Sequence, residues 1–209
     1  MLEKFGSPNL VVVGLWNKAI FSIDWMKKNV YEISPEINIK VEVPIGNFDS
    51  SLKYNFEKFS MAIVGNRMEF IANENSPEAY EQIIDRSRVI FRLLSHTPVT
   101  DFGINHRFQY DNSEFNFDNL FKFDGDERLS SITGGTIIKN MQKSIRINQS
   151  ETINVFINDE IKEIGFNFNF NISSIVEIFS IIKENNSFIS EKKDQALSIL
   201  EEVYSLKLR

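Results

Sequence analysis

The chain has 209 residues, no cysteine and a formal charge of −6, with 42% apolar and 25% charged residues. These are the proportions of an ordinary globular protein, long enough to bury a sizeable core. The lack of cysteine excludes disulfides, thiolate zinc sites and cysteine nucleophiles and fits a cytoplasmic protein, while the acidic balance, with no Lys/Arg run in either half, argues against nucleic acid as a partner.

The first residues, with Glu3 and Lys4, lack the basic start and apolar core of a secretory signal. No apolar stretch approaches the ~18 residues of a membrane span, so no membrane role is expected. Asn9 to Trp16 is a β-type apolar run, the pattern of a strand buried on both faces. Ile20 to Tyr31 predicts a short helix with Phe21, Trp25, Met26 and Val30 on one side. Ile37 to Val43 alternates Ile37, Ile39, Val41 and Val43 with Asn38, Lys40 and Glu42, which predicts a strand.

In the middle of the chain every local signal agrees. Phe56 to Val64 and Arg67 to Ala72 flank Gly65-Asn66, a hairpin signal because both residues tolerate the backbone of tight turns. Ser76-Pro77 opens a helix: Ser caps free amides, and Pro at the first position loses no hydrogen bond. Its apolar stripe is Ile83, Ile84, Val89, Ile90, Leu93 and Leu94, and Thr97-Pro98 ends it. Phe102, Ile104, His106, Phe108 and Tyr110 then alternate with Gly103, Asn105, Arg107 and Gln109, which puts His106 on an aromatic strand face.

Phe115, Phe117 and Phe121 follow in a polar, loop-like segment that ends in Asp124-Gly125-Asp126-Glu127. Gly134-Gly135 bends the chain, and Lys143 to Asn148 predicts a further strand. Thr152 to Ile157 and Ile161 to Ile172 predict a second hairpin, with Phe166, Phe168, Phe170 and Ile172 opposite Asn167, Asn169 and Asn171. Ser173 or Ser174 caps a helix through Ile175, Ile178, Phe179 and Ile182. Ser190 caps a last helix with the stripe Leu197, Leu200, Val203, Tyr204 and Leu206. This order predicts an α+β protein of two pseudo-repeated halves, 1–112 and 113–209, each an antiparallel sheet covered by amphipathic helices and packed as one unit.

The strand Asp101-Phe102-Gly103-Ile104-Asn105-His106-Arg107-Phe108, together with the closing strand and long last helix, resembles a sporadically distributed family of uncharacterised bacterial proteins built from two related α+β halves. The resemblance implies a partner-binding role beside mobile or defence islands. It brings no catalytic residue with it.

The chemistry-bearing residues are few. His96 and His106 are the only histidines, and no metal-binding spacing surrounds them, so no metal and no cofactor are expected. His106 reads as a hydrogen-bonded core histidine and His96 as a cation at a helix C-terminus. Asp124, Asp126 and Glu127 read as a solvated acidic turn, because the regular ligand spacing of a calcium loop is missing. Gly134-Gly135-Thr136 lacks the frame of a phosphate cradle. The leading expectation is therefore a non-enzymatic component of a bacterial antiviral-defence or mobile-element operon. Its partner would be another protein or a second copy, held by Phe115, Phe117 and Phe121. The alternatives are an enzyme built on His106, Arg107, Asp124, Asp126 and Glu127, or an acidic inhibitor, which the modest charge disfavours.

Overall fold

A computed structural model describes residues 2–3, 9–31, 40–42, 52–111, 126–134, 140–159 and 163–206. Among these, ten strands form one sheet. They are β1 Leu2–Glu3, β2 Leu10–Gly14, β3 Lys40–Glu42, β4 Lys53–Asn55 and β5 Phe59–Val64, then β6 Arg67–Ala72, β7 Val99–Asp111, β8 Asn140–Arg146, β9 Glu151–Asp159 and β10 Glu163–Ile172. The order across the sheet is β3-β4-β5-β6-β2-β7-β10-β9-β8, with β1 beside β7, and every pair is antiparallel. The fold is α+β, but with a single sheet where the sequence predicts one per half. The reason is β7: β2 pairs along one edge of it and β10 along the other, which joins the strands of both halves.

The β5-β6 hairpin forms as its sequence requires. Gly65 has φ of 61°, while Asn66 is not among the positive-φ residues, the arrangement of turns that need glycine at the first central position. The helix Pro77–Leu93 begins as expected, with Ser76 Oγ accepting from the Ala79 amide at 3.1 Å. Two further helices, Ile175–Glu184 and Phe188–Tyr204, pack beside it over β7. The first apolar run leads into a 3-10 turn Lys18–Ile20, an α-turn Ile23–Trp25 and a π-turn Met26–Val30 rather than one regular helix.

One core lies between this helical layer and the sheet. Phe102, Ile104, His106, Phe108 and Tyr110 of β7, with Phe166, Phe168 and Phe170 of β10, are buried on that side. Phe102 meets Phe188 at 6.2 Å between ring centres, and Phe166 meets Tyr204 at 5.2 Å. A buried Phe contributes about 1.5–3 kcal/mol, so this aromatic seam anchors the C-terminal helix. Lys192 adds a half-sheltered ion pair with Glu151 at 2.5 Å, its ammonium 5.3 Å from the Phe170 and Phe188 rings.

Several boundaries differ from the sequence expectation. The last helix starts at Phe188 rather than after Ser190, because Asn185 Oδ1 turns the chain by accepting from the Ser187 amide at 2.9 Å. Val203 and Leu93 fall off their expected stripes and are 63% and 42% exposed, while Tyr80, Ser87 and Phe91 are buried instead. Of Ile37 to Val43, the strand β3 is described only at Lys40–Glu42, and β4 had no alternation to announce it. Asp126 and Glu127 do not lie in a turn: they begin the helix Asp126–Thr133.

Candidate functional site

His106 and Arg107 are neighbours on β7, so the pleat sends their side chains to opposite faces. His106 is 2% exposed, with Nε2 3.1 Å from the Ile189 carbonyl oxygen and Tyr80 edge-on at 5.9 Å. A carbonyl only accepts, so Nε2 carries the hydrogen and the ring bridges β7 to the start of the last helix. Arg107 lies on the far face, where its guanidinium passes over Gly165. The two cannot serve one reacting atom, which removes the geometric basis of the His106 and Arg107 pairing. Asp124, Phe115, Phe117 and Phe121 lie outside the described residues, as do the side chains of Asp126 and Glu127. Among the described residues no group of three or more His, Asp and Glu converges as metal ligands.

The far face of the sheet carries a row of amides. Ser144 of β8 donates to Asn154 of β9 at 2.7 Å, Asn154 donates to Asn169 of β10 at 3.0 Å, and Asn169 donates to Asn105 of β7 at 2.8 Å. These residues are directly opposite one another in the strand register. Asn9, just before β2, continues the row by accepting from the Ala72 amide at 2.8 Å and donating to the Asn105 carbonyl at 3.4 Å. Gly103 keeps space for it: a Cβ there would lie 3.1 Å from Asn169 Nδ2. The row fixes register by hydrogen bonding, since a one-residue slip would put these amides among the core phenylalanines.

At the end of the sheet, β8 has no strand on its outer side among the described residues. Six of its seven residues are exposed. The Ile147 amide donates to the Glu151 carbonyl at 3.0 Å, and pairs in an antiparallel ladder alternate between bonded and non-bonded. Counting back along the register, Met141, Lys143 and Ile145 direct their backbone groups to β9, whereas Asn140, Gln142, Ser144 and Arg146 direct theirs outward. The Ser173 amide bonding to the Ser150 carbonyl at 2.9 Å carries the same alternation into the next strand. Lys143 does not shield this edge: its ammonium is drawn onto Tyr204, 3.4 Å from the hydroxyl and 5.5 Å from the ring centre. Ile145 and Ile147 stand 44% and 50% exposed beside it.

A second concavity, of about 420 Å³, opens between the ends of the helices Pro77–Leu93 and Ile175–Glu184. Phe91 and Phe179 form its floor, edge to face with centres 5.7 Å apart, and Val89 and Ile182 complete the apolar surface. Arg88 ties the two helices together. It donates to the Ile182 carbonyl at 2.7 Å, to Asp85 at 2.7 Å and to Asn186. Arg92 and Lys183, both exposed, line the rim.

The sequence pattern placed Arg92 and Phe179 on helices but held no sign that they meet. It read Lys143 to Asn148 as a strand without showing that it ends the sheet. No helix among the described residues is long and apolar enough to cross a membrane. No protein-family model matches the chain, and comparison with curated proteins and with solved structures likewise gave no match.

Proposed function

We propose that the chain is a non-enzymatic, protein-binding component that captures an extended segment of another protein as an added strand on β8, in the cytoplasm of a bacterium and as an accessory part of a defence or mobile-element operon. The observation that carries this is the outward edge of β8, where the backbone groups of Asn140, Gln142, Ser144 and Arg146 have no strand beside them among the described residues. An open edge of this length is a template for main-chain hydrogen bonds, and proteins that do not use one cover or charge it. Here no strand covers it among the described residues, and of its two cations Lys143 is held on Tyr204 while Arg146 stays exposed. Ile145 and Ile147 supply exposed apolar contacts next to the incoming strand. Arg146 gives the edge a positive charge on a chain of net −6, which favours a partner segment with acidic side chains over a second copy.

Gln142→Pro tests it, because the Gln142 amide points outward and its loss removes no internal ladder bond. The variant is expected to melt with the wild-type protein and to lose the partner that co-purifies from the host. Amide exchange in the complex is expected to slow at Gln142, Ser144 and Arg146. A partner retained equally by Gln142→Pro, or protection confined to other strands, refutes strand addition. Light scattering on the purified chain that shows dimers broken by Gln142→Pro would assign the edge to a second copy.

A further inference from the structure

We propose that the groove between the helices Pro77–Leu93 and Ile175–Glu184 is a binding site for a small amphipathic carboxylate, with its apolar body on Phe91 and Phe179 and its carboxylate between Arg92 and Lys183. This site is separate from the β8 edge and does not depend on it. A volume of about 420 Å³ falls in the ~300–1,000 Å³ range of small-molecule sites, and the lining combines an apolar surface from Val89, Phe91, Phe179 and Ile182 with polar groups, as such sites do.

Charge decides the class of ligand. Both helices end at the groove, and each C-terminus presents about half a negative charge that would repel an anion. Arg88 already answers part of this, since its guanidinium takes the Ile182 carbonyl and pairs with Asp85. Arg92 and Lys183 are two whole cations with no hydrogen bond or ion pair among the described residues, so the rim remains positive by about one charge after both dipoles are counted. A neutral apolar ligand would leave those cations unanswered. A monocarboxylate pairs with them while its chain covers the exposed phenylalanine edges. A polyanion would lack use for the apolar floor.

The test is calorimetric titration of the full chain with decanoate, kept below its micelle concentration, and with decanol as the neutral control. Decanoate is expected to bind at one site per chain and more tightly than decanol. Arg92→Ala/Lys183→Ala is expected to weaken decanoate about tenfold or more, as loss of charge-assisted contacts does, and to leave decanol within about twofold. Ser95→Trp, an exposed turn residue at the groove mouth, is expected to weaken both ligands without shifting the melting temperature. Absence of saturable decanoate binding overturns the site. Decanoate binding that the double variant leaves within about twofold overturns the role of the two cations, and binding unaffected by Ser95→Trp overturns its location.

Discussion

Asn169 is the centre of the amide row, and its replacement separates hydrogen bonding from packing as the force that holds the register of β9, β10 and β7. Asn169→Ala removes the bond from Asn154 at 3.0 Å and the bond to Asn105 at 2.8 Å. Each net bond is worth about 0.5–1.5 kcal/mol. The site is half-buried, so water can reach the orphaned amides and the loss should fall in the lower part of the sum, roughly 1–2 kcal/mol. For a chain of this length that lowers the melting temperature by about 2–8 °C. Asn169→Leu should be worse, about 2–4 kcal/mol, because its methyls exclude the water that would otherwise satisfy Asn154 and Asn105. Urea titration of both variants measures the difference, and a cycle with Asn105→Ala should give a coupling of about 0.5–1 kcal/mol. If Asn169→Leu is as stable as the wild type, or if the cycle is additive within about 0.3 kcal/mol, the row is an ornament of a register set by the opposite face.

Gly65→Ala should cost about 1–2 kcal/mol in a thermal melt, all of it from the new Cβ crowding its own backbone at φ of 61°, since that Cβ would meet no other residue within 4 Å. Ser205 ends the last helix at φ of 56°, with its amide on Glu201 and the Leu206 amide on the Leu200 carbonyl at 3.0 Å, so Ser205→Gly should stabilise by about 0.5–1 kcal/mol. The Tyr31 and Tyr110 hydroxyls are buried with no hydrogen-bond partner among the described residues, and burial pushes both phenols above their ordinary range. The folded state therefore holds these protons more tightly than the unfolded state, so their contribution is full below about pH 10 and is lost as pH rises above it. Tyr31→Phe/Tyr110→Phe should be no less stable at pH 7 and should flatten the alkaline loss in denaturation series from pH 8 to 11; a decrease of more than about 1 kcal/mol at pH 7 would mean that the hydroxyls are satisfied.

The elements whose signals are local were legible in the sequence. Gly65-Asn66, Ser76-Pro77 and the alternation through Tyr110 carry their geometry in adjacent residues, and the structure has a turn, a capped helix and a strand there. The burial of His106 followed from its aromatic neighbours, but its bond to Ile189 lies 83 residues away and no periodicity encodes it. The same holds for the groove, where Arg88 reaches Ile182 across 94 residues. The amide row was half visible: Asn167, Asn169 and Asn171 marked a polar face, while Asn9, Asn105 and Asn154 joined it only once the strand order was known. Joining the halves into one sheet was invisible for a related reason, because pairing of β7 with β10 is a choice of neighbour and both strands would alternate identically in separate sheets.

Among the described residues the two ends of the sheet differ in the charges their outer strands carry. At the other end, the described part of β3 is three residues, and Glu42 sits among its neighbours, accepting from Asn55 at 2.9 Å and lying 3.8 Å from Lys53. Charged residues on the rim of a strand make it a poor template for another chain. β8 runs for seven residues, and its one inward-leaning cation, Lys143, is spent on Tyr204 of the last helix. Tyr204 is itself fixed by Phe166 in the aromatic seam. Phe166 thus reaches Lys143 through Tyr204: the packing that docks the C-terminal helix also holds the Lys143 ammonium on the helix-covered face, while Arg146 stays exposed. Under the proposed strand addition, a partner paired on β8 would therefore lie beside Ile145 and Ile147, with Lys143 already held on Tyr204.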